Sequence, residues 1–257
     1  MILNLYYHAL SRKGGKPGVN EDYLALPEAV EQTPAGGMIS KEANPLFVLC
    51  DGLGGHQAGE IASRFCCSIM KDKFNKLASE PDTQSLKEII SQVNRELNQL
   101  GNSESEYYKM ATTLAALVIT PERAIICNVG DSRIYLFSSQ ELQQLSEDHS
   151  VVWNYYRQHL ISKDDILKHP EKHLVTQAMG LSSQVEVFTR EINLPEHFVF
   201  LLCSDGMSDY VRDSEIATLI ENATCLLPLS ENLWDRAQSQ GSYDDISVIL
   251  ISDYLKY

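Results

Sequence analysis

Positive charge is scarce in this chain: 21 lysines and arginines stand against 35 aspartates and glutamates, which gives the 257 residues a formal net charge of -14. Binding to a nucleic-acid backbone requires clustered basic residues that displace counterions. Attraction to an anionic membrane surface requires the same kind of cluster. The charge balance therefore argues against nucleic acid and membrane as partners. Divalent cations bound to a cluster of acids would offset part of the negative charge.

Long apolar runs and paired cysteine motifs are also missing. No segment approaches the roughly 20 apolar residues that cross a bilayer. The first ten residues have no basic segment before their apolar positions, which is the wrong order for a signal peptide. The six cysteines show no C-x-x-C spacing, and three lie inside apolar runs. This pattern fits buried free thiols in a reducing compartment, so we expect a cytoplasmic location.

The rest of the composition is that of an ordinary folded protein. Hydrophobic residues make up 44% of the chain and charged residues 22%, which argues against wholesale disorder. The length suffices for one large domain. Because no internal repeat or linker is visible, we predict one domain over residues 1–257.

Three apolar runs in the chain each end at an aspartate followed by a small residue. Such short runs, bounded by turn-forming dipeptides, predict buried strands rather than helices. Each aspartate would then lie where a rigid core meets solvent. The runs occupy residues 46–52, 125–132 and 198–206.

Taken alone, each Asp-Gly pair is a common turn, and plain turns or structural Ca²⁺ sites remain alternative interpretations. The joint pattern favours a site, because Asp51, Asp131, Asp205 and Asp244 all border apolar segments. If these acids converge, their repulsion requires a cation, and oxygen donors without a Cys or His framework suit Mg²⁺ or Mn²⁺. Glycine lets the backbone approach closely, so the Gly52 carbonyl is a further candidate ligand. Two such ions would activate a water for displacement at phosphorus, which is hydrolytic chemistry.

The remaining pattern predicts helices that cover the outer faces of antiparallel sheets, an α+β fold. Apolar residues recur at helical spacing over 56–77, and a second helix is bounded by Asp82 as N-cap and Gly101 as C-terminal stop. A meander of short strands follows over 112–145. The polar stretch 148–180 is predicted to be a surface insertion, here named the flap. Further helices are predicted at about 213–222 and 229–238, and a last strand at 246–251.

Seven short motifs follow one another along nearly the whole chain. They are Asn20-Glu21-Asp22, Asp51-Gly52-Leu53-Gly54-Gly55-His56, Ala111-Thr112-Thr113, Gly130-Asp131-Ser132-Arg133-Ile134-Tyr135, Asp148-His149-Ser150, Cys203-Ser204-Asp205-Gly206 and Asp244-Asp245-Ile246-Ser247. In this order they resemble the metal-dependent serine/threonine protein phosphatases of type 2C, and specifically the bacterial branch of that family. The resemblance implies a four-layer α/β/β/α sandwich, in which two stacked antiparallel sheets are flanked by helices.

The resemblance also implies a binuclear Mn²⁺ or Mg²⁺ site at one end of the sandwich. Asp51 would bridge the two ions. Asp205 and Asp244 would complete the shell of one ion. Glu21 and the Gly52 carbonyl would help to hold the other.

Two further acids have supporting roles in this scheme. Asp22 would orient bound water, and Asp131, shared with Asp205, would bind a third and weaker ion. The attacking group would be a water that bridges the metals, so no covalent phosphoenzyme is expected. The implied reaction is hydrolysis of phosphoserine and phosphothreonine in proteins.

The chain departs from the family pattern where the substrate phosphate is held. Many relatives have an arginine four residues before the first metal glutamate, but Pro17 occupies that position here. Arg12, Lys13 or Lys16 would supply the positive charge from a glycine-containing loop, unless that loop is simply solvated. Arg12 and Lys16 are the candidate substrate-binding residues.

Two other departures concern the general acid and the last motif. Leu53 stands where eukaryotic relatives carry a histidine, and His56 and His149 are expected to have packing roles instead. In most relatives the first aspartate of the last motif is followed by asparagine, but in this chain Asp244 is followed by Asp245. The extra carboxylate is expected either to tighten metal binding or to face water.

The expected partners are a phosphorylated protein and the serine/threonine kinase that opposes this chain, which is expected to act as a monomer. Substrate choice is expected to lie in the flap, because a surface insertion can vary without disturbing the metals. The alternative function is a catalytically weak regulator that keeps the phosphatase fold and binds phosphoproteins. Loss of the phosphate-binding arginine motivates that alternative.

Overall fold

The computed structural model describes residues 4–32, 34–40, 43–53, 57–103, 107 and 109–256. These residues form two antiparallel sheets that stack face to face, with helices on the outer face of each. The four-layer sandwich predicted from the sequence is confirmed. Within the described ranges, none of the helices has both the length and the apolar character needed to cross a membrane.

The first sheet has six strands, and its two central strands are buried along their whole length. The strands are β1 (Asn4–Arg12), β4 (Ala35–Ser40), β9 (Arg133–Ser138), β10 (Glu141–Gln144), β12 (Phe198–Cys203) and β13 (Ile246–Ser252). Their order is β10-β9-β12-β13-β1-β4. Because β12 and β13 are covered on both faces, their sequences are nearly continuous apolar runs rather than alternating ones.

The second sheet carries the first Asp-Gly motif. Its strands are β2 (Asp22–Ala25), β3 (Val30–Glu31), β5 (Leu46–Leu53), β6 (Ala111–Thr112), β7 (Leu114–Ile119), β8 (Arg123–Val129) and β11 (Phe188–Asn193). The order is β11-β8-β7-β5-β2-β3, and the short β6 pairs with the end of β5. The meander predicted over 112–145 is therefore divided between the two sheets.

The helices cover the outer faces by burying one apolar stripe each. The second sheet is covered by α1 (Gln57–Phe74) and α2 (Thr83–Ser103). The first sheet is covered by α5 (Asp205–Ser208), α6 (Asp213–Glu221) and α7 (Leu226–Ser239). The flap contains the short helices α3 (Val151–Arg157) and α4 (Lys163–Ile166).

Two local predictions need correction, and one is confirmed. The Asp82 carboxylate accepts a hydrogen bond from the Ser85 N–H at 2.7 Å, as predicted for an N-cap. Gly101 does not end α2, which continues to Ser103. A Cβ at Gly101 would lie 3.1 Å from the Tyr107 carbonyl oxygen, so the glycine serves close packing. Likewise, Asp51 and Gly52 do not form a turn but continue strand β5, because they pair with Asp22 and Thr112.

Candidate metal centre and active site

The predicted carboxylates come together where strands of both sheets end. Asp51 on β5 lies opposite Asp22 on β2 in the ladder. Asp131 lies in the turn between β8 and β9, and Asp205 opens α5 directly after β12. Burial raises the pKa of Asp51 well above its usual range, and the charges of Asp22, Asp205, Asp244 and Asp131 raise it further. Four acids from distant parts of the chain therefore surround Asp51.

Mutual repulsion marks this cluster as a cation site. The pKa of Asp205 is raised to about 7, mainly by burial and to a smaller extent by the charges of Asp209 and Asp244. The Lys16 ammonium opposes this shift. The pKa of Asp22 is raised to about 8, mainly by burial and to a smaller extent by the charge of Asp245. The Asp205 Oδ1 and Asp22 Oδ2 atoms are buried without a hydrogen-bond partner in the described part of the chain. A divalent ion would neutralise the repulsion that these groups create.

The donor set fits a hard divalent cation. The clustered carboxylates all offer oxygen, which Mg²⁺ and Mn²⁺ prefer. A Cβ at Gly52 would lie 2.3 Å from the Gly59 carbonyl oxygen and 2.7 Å from the Glu21 carbonyl oxygen, so only glycine allows this close approach. The Glu21 carboxylate lies against Gly59 at the start of α1. Glu21 and the Gly52 backbone therefore lie close together, and the Gly52 N–H donates to the Glu21 carbonyl at 3.1 Å.

Two threonines hold the backbone of Asp51 in place. The Asp51 N–H donates to Thr113 Oγ1 at 2.9 Å, and Thr112 Oγ1 donates to the Asp51 carbonyl at 2.8 Å. Thr113 also lies 2.7 Å from the Ser132 hydroxyl, in the turn that carries Asp131. The Ala111-Thr112-Thr113 motif thus links two of the acid-bearing segments.

Asp245 has a role that neither sequence-based alternative describes. Its carboxylate is buried and accepts hydrogen bonds from the backbone N–H groups of Gly14 and Glu21, each at 2.8 Å. It therefore fixes the loop that contains Lys16 and the backbone that carries Glu21. A carboxylate held by two N–H groups in this way is a structural element.

The two candidate substrate-binding residues have different surroundings. Arg12 forms a bidentate ion pair with Glu231, with both N···O distances 2.6 Å, and its guanidinium lies 5.1 Å from the centre of the Trp234 ring. Lys16 forms an ion pair with Asp244, and the charges of Asp205 and Asp51 also act on it. The structure thus brings Lys16, but not the Arg12 ion pair, into the acid cluster.

Asp209 and His173 are part of this region and were not predicted. One ligand atom each from His173, Asp205 and Asp209 lies within 4.8 Å of the others. The Lys172 Nζ lies 3.1 Å from Asp209 Oδ2. The sequence does contain a signal for Asp209, because residues four apart on a helix lie on the same face and Asp209 follows Asp205 by four. No local pattern indicates His173, since the tertiary fold of the flap brings it to the site.

Other histidines highlighted by the motifs have no demonstrated place in the chemistry. His56, with Gly54 and Gly55, lies outside the described residues. The His149 Nδ1 accepts a hydrogen bond from the Gly130 N–H at 3.3 Å, and burial lowers the pKa of His149. A neutral His149 therefore supports the turn that carries Asp131.

The fold and the site together define a class: metal-binding sandwich proteins with an oxygen-ligand centre at one end. Comparison with known proteins identifies the family within that class. The family model described as protein phosphatase 2C matches residues 35–250. The chain belongs to the protein phosphatase 2C family.

Similar proteins extend this result over most of the chain. The serine/threonine phosphatase stp of Listeria monocytogenes is 34% identical over 221 residues, which cover 84% of this chain and 88% of that protein. The crystal structure of the serine/threonine phosphatase Stp1 from Staphylococcus aureus has a TM-score of 0.84 and 28% identity, with 98% of this chain and 95% of that chain covered. The catalytic domain of the phosphatase PstP, solved with two manganese ions, has a TM-score of 0.79 and 25% identity, with 97% and 98% covered.

Proposed function

We infer that this chain is a metal-dependent protein phosphatase that removes phosphate from phosphoserine and phosphothreonine in proteins. The observation that carries this inference is the convergence of Asp51, Asp205, Asp244 and Asp131 at one end of the sandwich. Relatives of the same fold are named serine/threonine phosphatases. Nothing in the described residues favours the alternative of a catalytically weak regulator.

We propose that Asp51, Asp205, Asp244, Glu21 and the Gly52 carbonyl hold two divalent ions, Mn²⁺ or Mg²⁺. The two manganese ions in the PstP structure support this number. When bound, such ions polarise a phosphoryl oxygen and lower the pKa of a water molecule. The protein contributes the position of the donors, which the strand ends and the threonine contacts of Asp51 fix.

Asp22 and Asp131 are proposed to act beside these ligands. Asp22 is buried, and its backbone is held by pairing with Asp51 in the ladder, so its carboxylate has a fixed place from which to position water. Burial and the charge of Asp205 raise the pKa of Asp131, which supports a third ion shared by these two acids.

Lys16 is proposed to be the residue that holds the substrate phosphate. Its ammonium already lies within the acid cluster, where the phosphate must also bind. Arg12 would have to give up both its bidentate pair with Glu231 and its contact with Trp234. We therefore give Arg12 a structural role in this proposal.

A charge-removal series separates these two candidates. We expect Lys16→Gln to raise the KM for a small aryl phosphate by about tenfold, the size of a hydrogen bond to a charged group, and Arg12→Gln to change it by less than about twofold. Steady-state kinetics in Mn²⁺ measure both values. Lys87→Gln, which removes one exposed charge on α2, serves as the control. A larger effect of Arg12→Gln than of Lys16→Gln would reverse the assignment.

The proposed function itself is tested with a small aryl phosphate and a phosphothreonine peptide. We expect both substrates to be hydrolysed in the presence of Mn²⁺. Hydrolysis should stop when a chelator removes the metal, and it should return when Mn²⁺ is restored. Absence of hydrolysis with every divalent ion would contradict the proposal. A phosphopeptide that binds tightly in Mn²⁺ but is never hydrolysed would instead support the regulator.

The cellular setting is proposed in outline. We expect a monomer built as one domain over residues 1–257, acting in the cytoplasm on proteins that a serine/threonine kinase has phosphorylated. All six cysteines are free and five of them are buried, which supports a reducing compartment. Size-exclusion chromatography with light scattering tests the monomer.

A further inference from the structure

A cleft of about 620 Å³ lies between the flap and the core. Helix α4 and Trp153 form its flap side, and residues 209, 210 and 212–214 form part of its core side. Asp209 belongs to this wall, and a carboxylate oxygen of Asp209 lies within 4.8 Å of one of Asp205. The cleft therefore reaches the candidate metal centre. A volume of this size holds a ligand as large as a short peptide segment.

Most charges in the wall of the cleft are already paired. Arg133 is paired with Asp148, and Asp209 with Lys172. Lys163 lies 2.9 Å from the Asp213 carboxylate. These pairs leave little net charge to attract a ligand.

Two cations in the wall have no such partner. Lys168 and Arg212 line the cleft, are exposed, and form no ion pair in the part of the chain that the structure describes. Asp164 is the lining acid in the same situation, so the unpaired charge of the lining residues sums to one positive excess. The charge of Lys168 also acts on Asp165 of α4, which does not line the cleft. This local excess stands out in a chain whose net charge is -14.

We propose that the cleft binds an acidic segment beside the phosphorylated residue of a protein substrate, with Lys168 and Arg212 as its specificity residues. The proposal rests on the phosphatase function inferred above and names a preference within it. Because an extended peptide advances about 3.3 Å per residue, positions a few residues from the phosphate reach the cleft. The chain as a whole has a net charge of -14, which disfavours non-specific binding of an acidic segment.

The preference is measured with two phosphothreonine peptides that differ only in flanking residues. One has Asp and Glu on both sides of the phosphothreonine, and the other has Asn and Gln. We expect kcat/KM in Mn²⁺ to be about fivefold higher for the acidic peptide, the size expected for two exposed ion pairs. The ratio should shrink as salt is added, because exposed pairs are screened.

The matched variants remove one lysine and one arginine each. In the double variant that combines Lys168→Gln and Arg212→Gln, we expect the ratio of kcat/KM for the acidic peptide to kcat/KM for the neutral peptide to fall below about two. The control, Lys87→Gln with Arg95→Gln, removes two exposed charges on α2 that make no ion pair among the described residues, and should keep the ratio. Equal ratios in the two double variants, or no acidic preference in the original protein, would overturn the proposal.

A binding measurement makes the test independent of turnover. The chain has two tryptophans, so Trp234→Phe leaves Trp153 of the cleft as the single tryptophan, which is excited selectively over the tyrosines. We expect an unphosphorylated acidic peptide to change the Trp153 emission and the neutral peptide to leave it unchanged. An acidic peptide that leaves the emission unchanged contradicts the proposed site. If the original protein hydrolyses neither phosphopeptide nor aryl phosphate, the phosphatase function has failed instead.

Discussion

Replacing Asp51 by asparagine is expected to lower kcat for a small aryl phosphate by at least about a thousandfold. Asp51 is the acid on which the charges of Asp22, Asp205, Asp244 and Asp131 all act. Asparagine keeps the size of the side chain but removes the charge and one ligand oxygen. Losing the charge stabilisation that a divalent ion supplies costs several kcal/mol in the barrier, which corresponds to this factor.

The same substitution should have the opposite effect on the stability of the metal-free protein. Burial and four neighbouring acids disfavour the charged form of Asp51, so a neutral residue relieves repulsion. We expect the Tm without metal to stay the same or rise, while the increase in Tm on adding Mn²⁺ disappears. Asp72→Asn, on the exposed side of α1, is the control for a lost carboxylate. Lost activity together with a full Mn²⁺ shift would show that Asp51 is not the bridging ligand.

The positions of the acids could be predicted because they follow from local patterns. A short apolar run predicts a buried strand, and an aspartate at its end is then fixed at the edge of the core. Asp131 and Asp205 illustrate this, since each lies within two residues of a buried strand. Even here the local detail for Asp51 was wrong, because pairing with Asp22 and Thr112 extends β5 beyond the expected turn.

The partners of long side chains could not be predicted in the same way. Arg12 pairs with Glu231, which is 219 residues away, and only the packing of α7 beside β1 brings them together. Asp245 looked like a spare acid beside Asp244, but the return of the Gly14 loop gives it two backbone N–H donors. Such contacts depend on tertiary structure, and a flexible side chain selects its partner only after the backbone is in place.

The buried ion pair between Arg133 and Asp148 is expected to give the largest stability effect. Arg133 Nη2 lies 2.7 Å from Asp148 Oδ2, and the exposed fractions of the two side chains are 8% and 2%. Gln144 Nε2 donates to the other Asp148 oxygen at 2.6 Å. The pair joins β9 to the start of the flap, two residues from Asp131.

Arg133→Met should lower the free energy of unfolding by about 3–5 kcal/mol, because it leaves the Asp148 carboxylate buried without its cation. For a chain of this size the loss corresponds to a fall in Tm of about 10 °C. Thermal and urea unfolding of the metal-free protein measure the effect. Arg157→Met is the matched control: the Arg157–Glu147 pair is exposed on the arginine side, so its loss should cost less than about 1 kcal/mol.

A double variant separates the charge from the packing. Arg133→Met with Asp148→Leu removes both charges, so no unpaired ion remains buried, and we expect it to be more stable than Arg133→Met alone. If the two effects simply add, the loss comes from packing and the charges are not coupled. A cost for Arg133→Met no larger than that for Arg157→Met would likewise contradict a stabilising role for the buried pair. If the coupling is observed, electrostatics rather than apolar contact fixes the base of the flap to the strand beside Asp131.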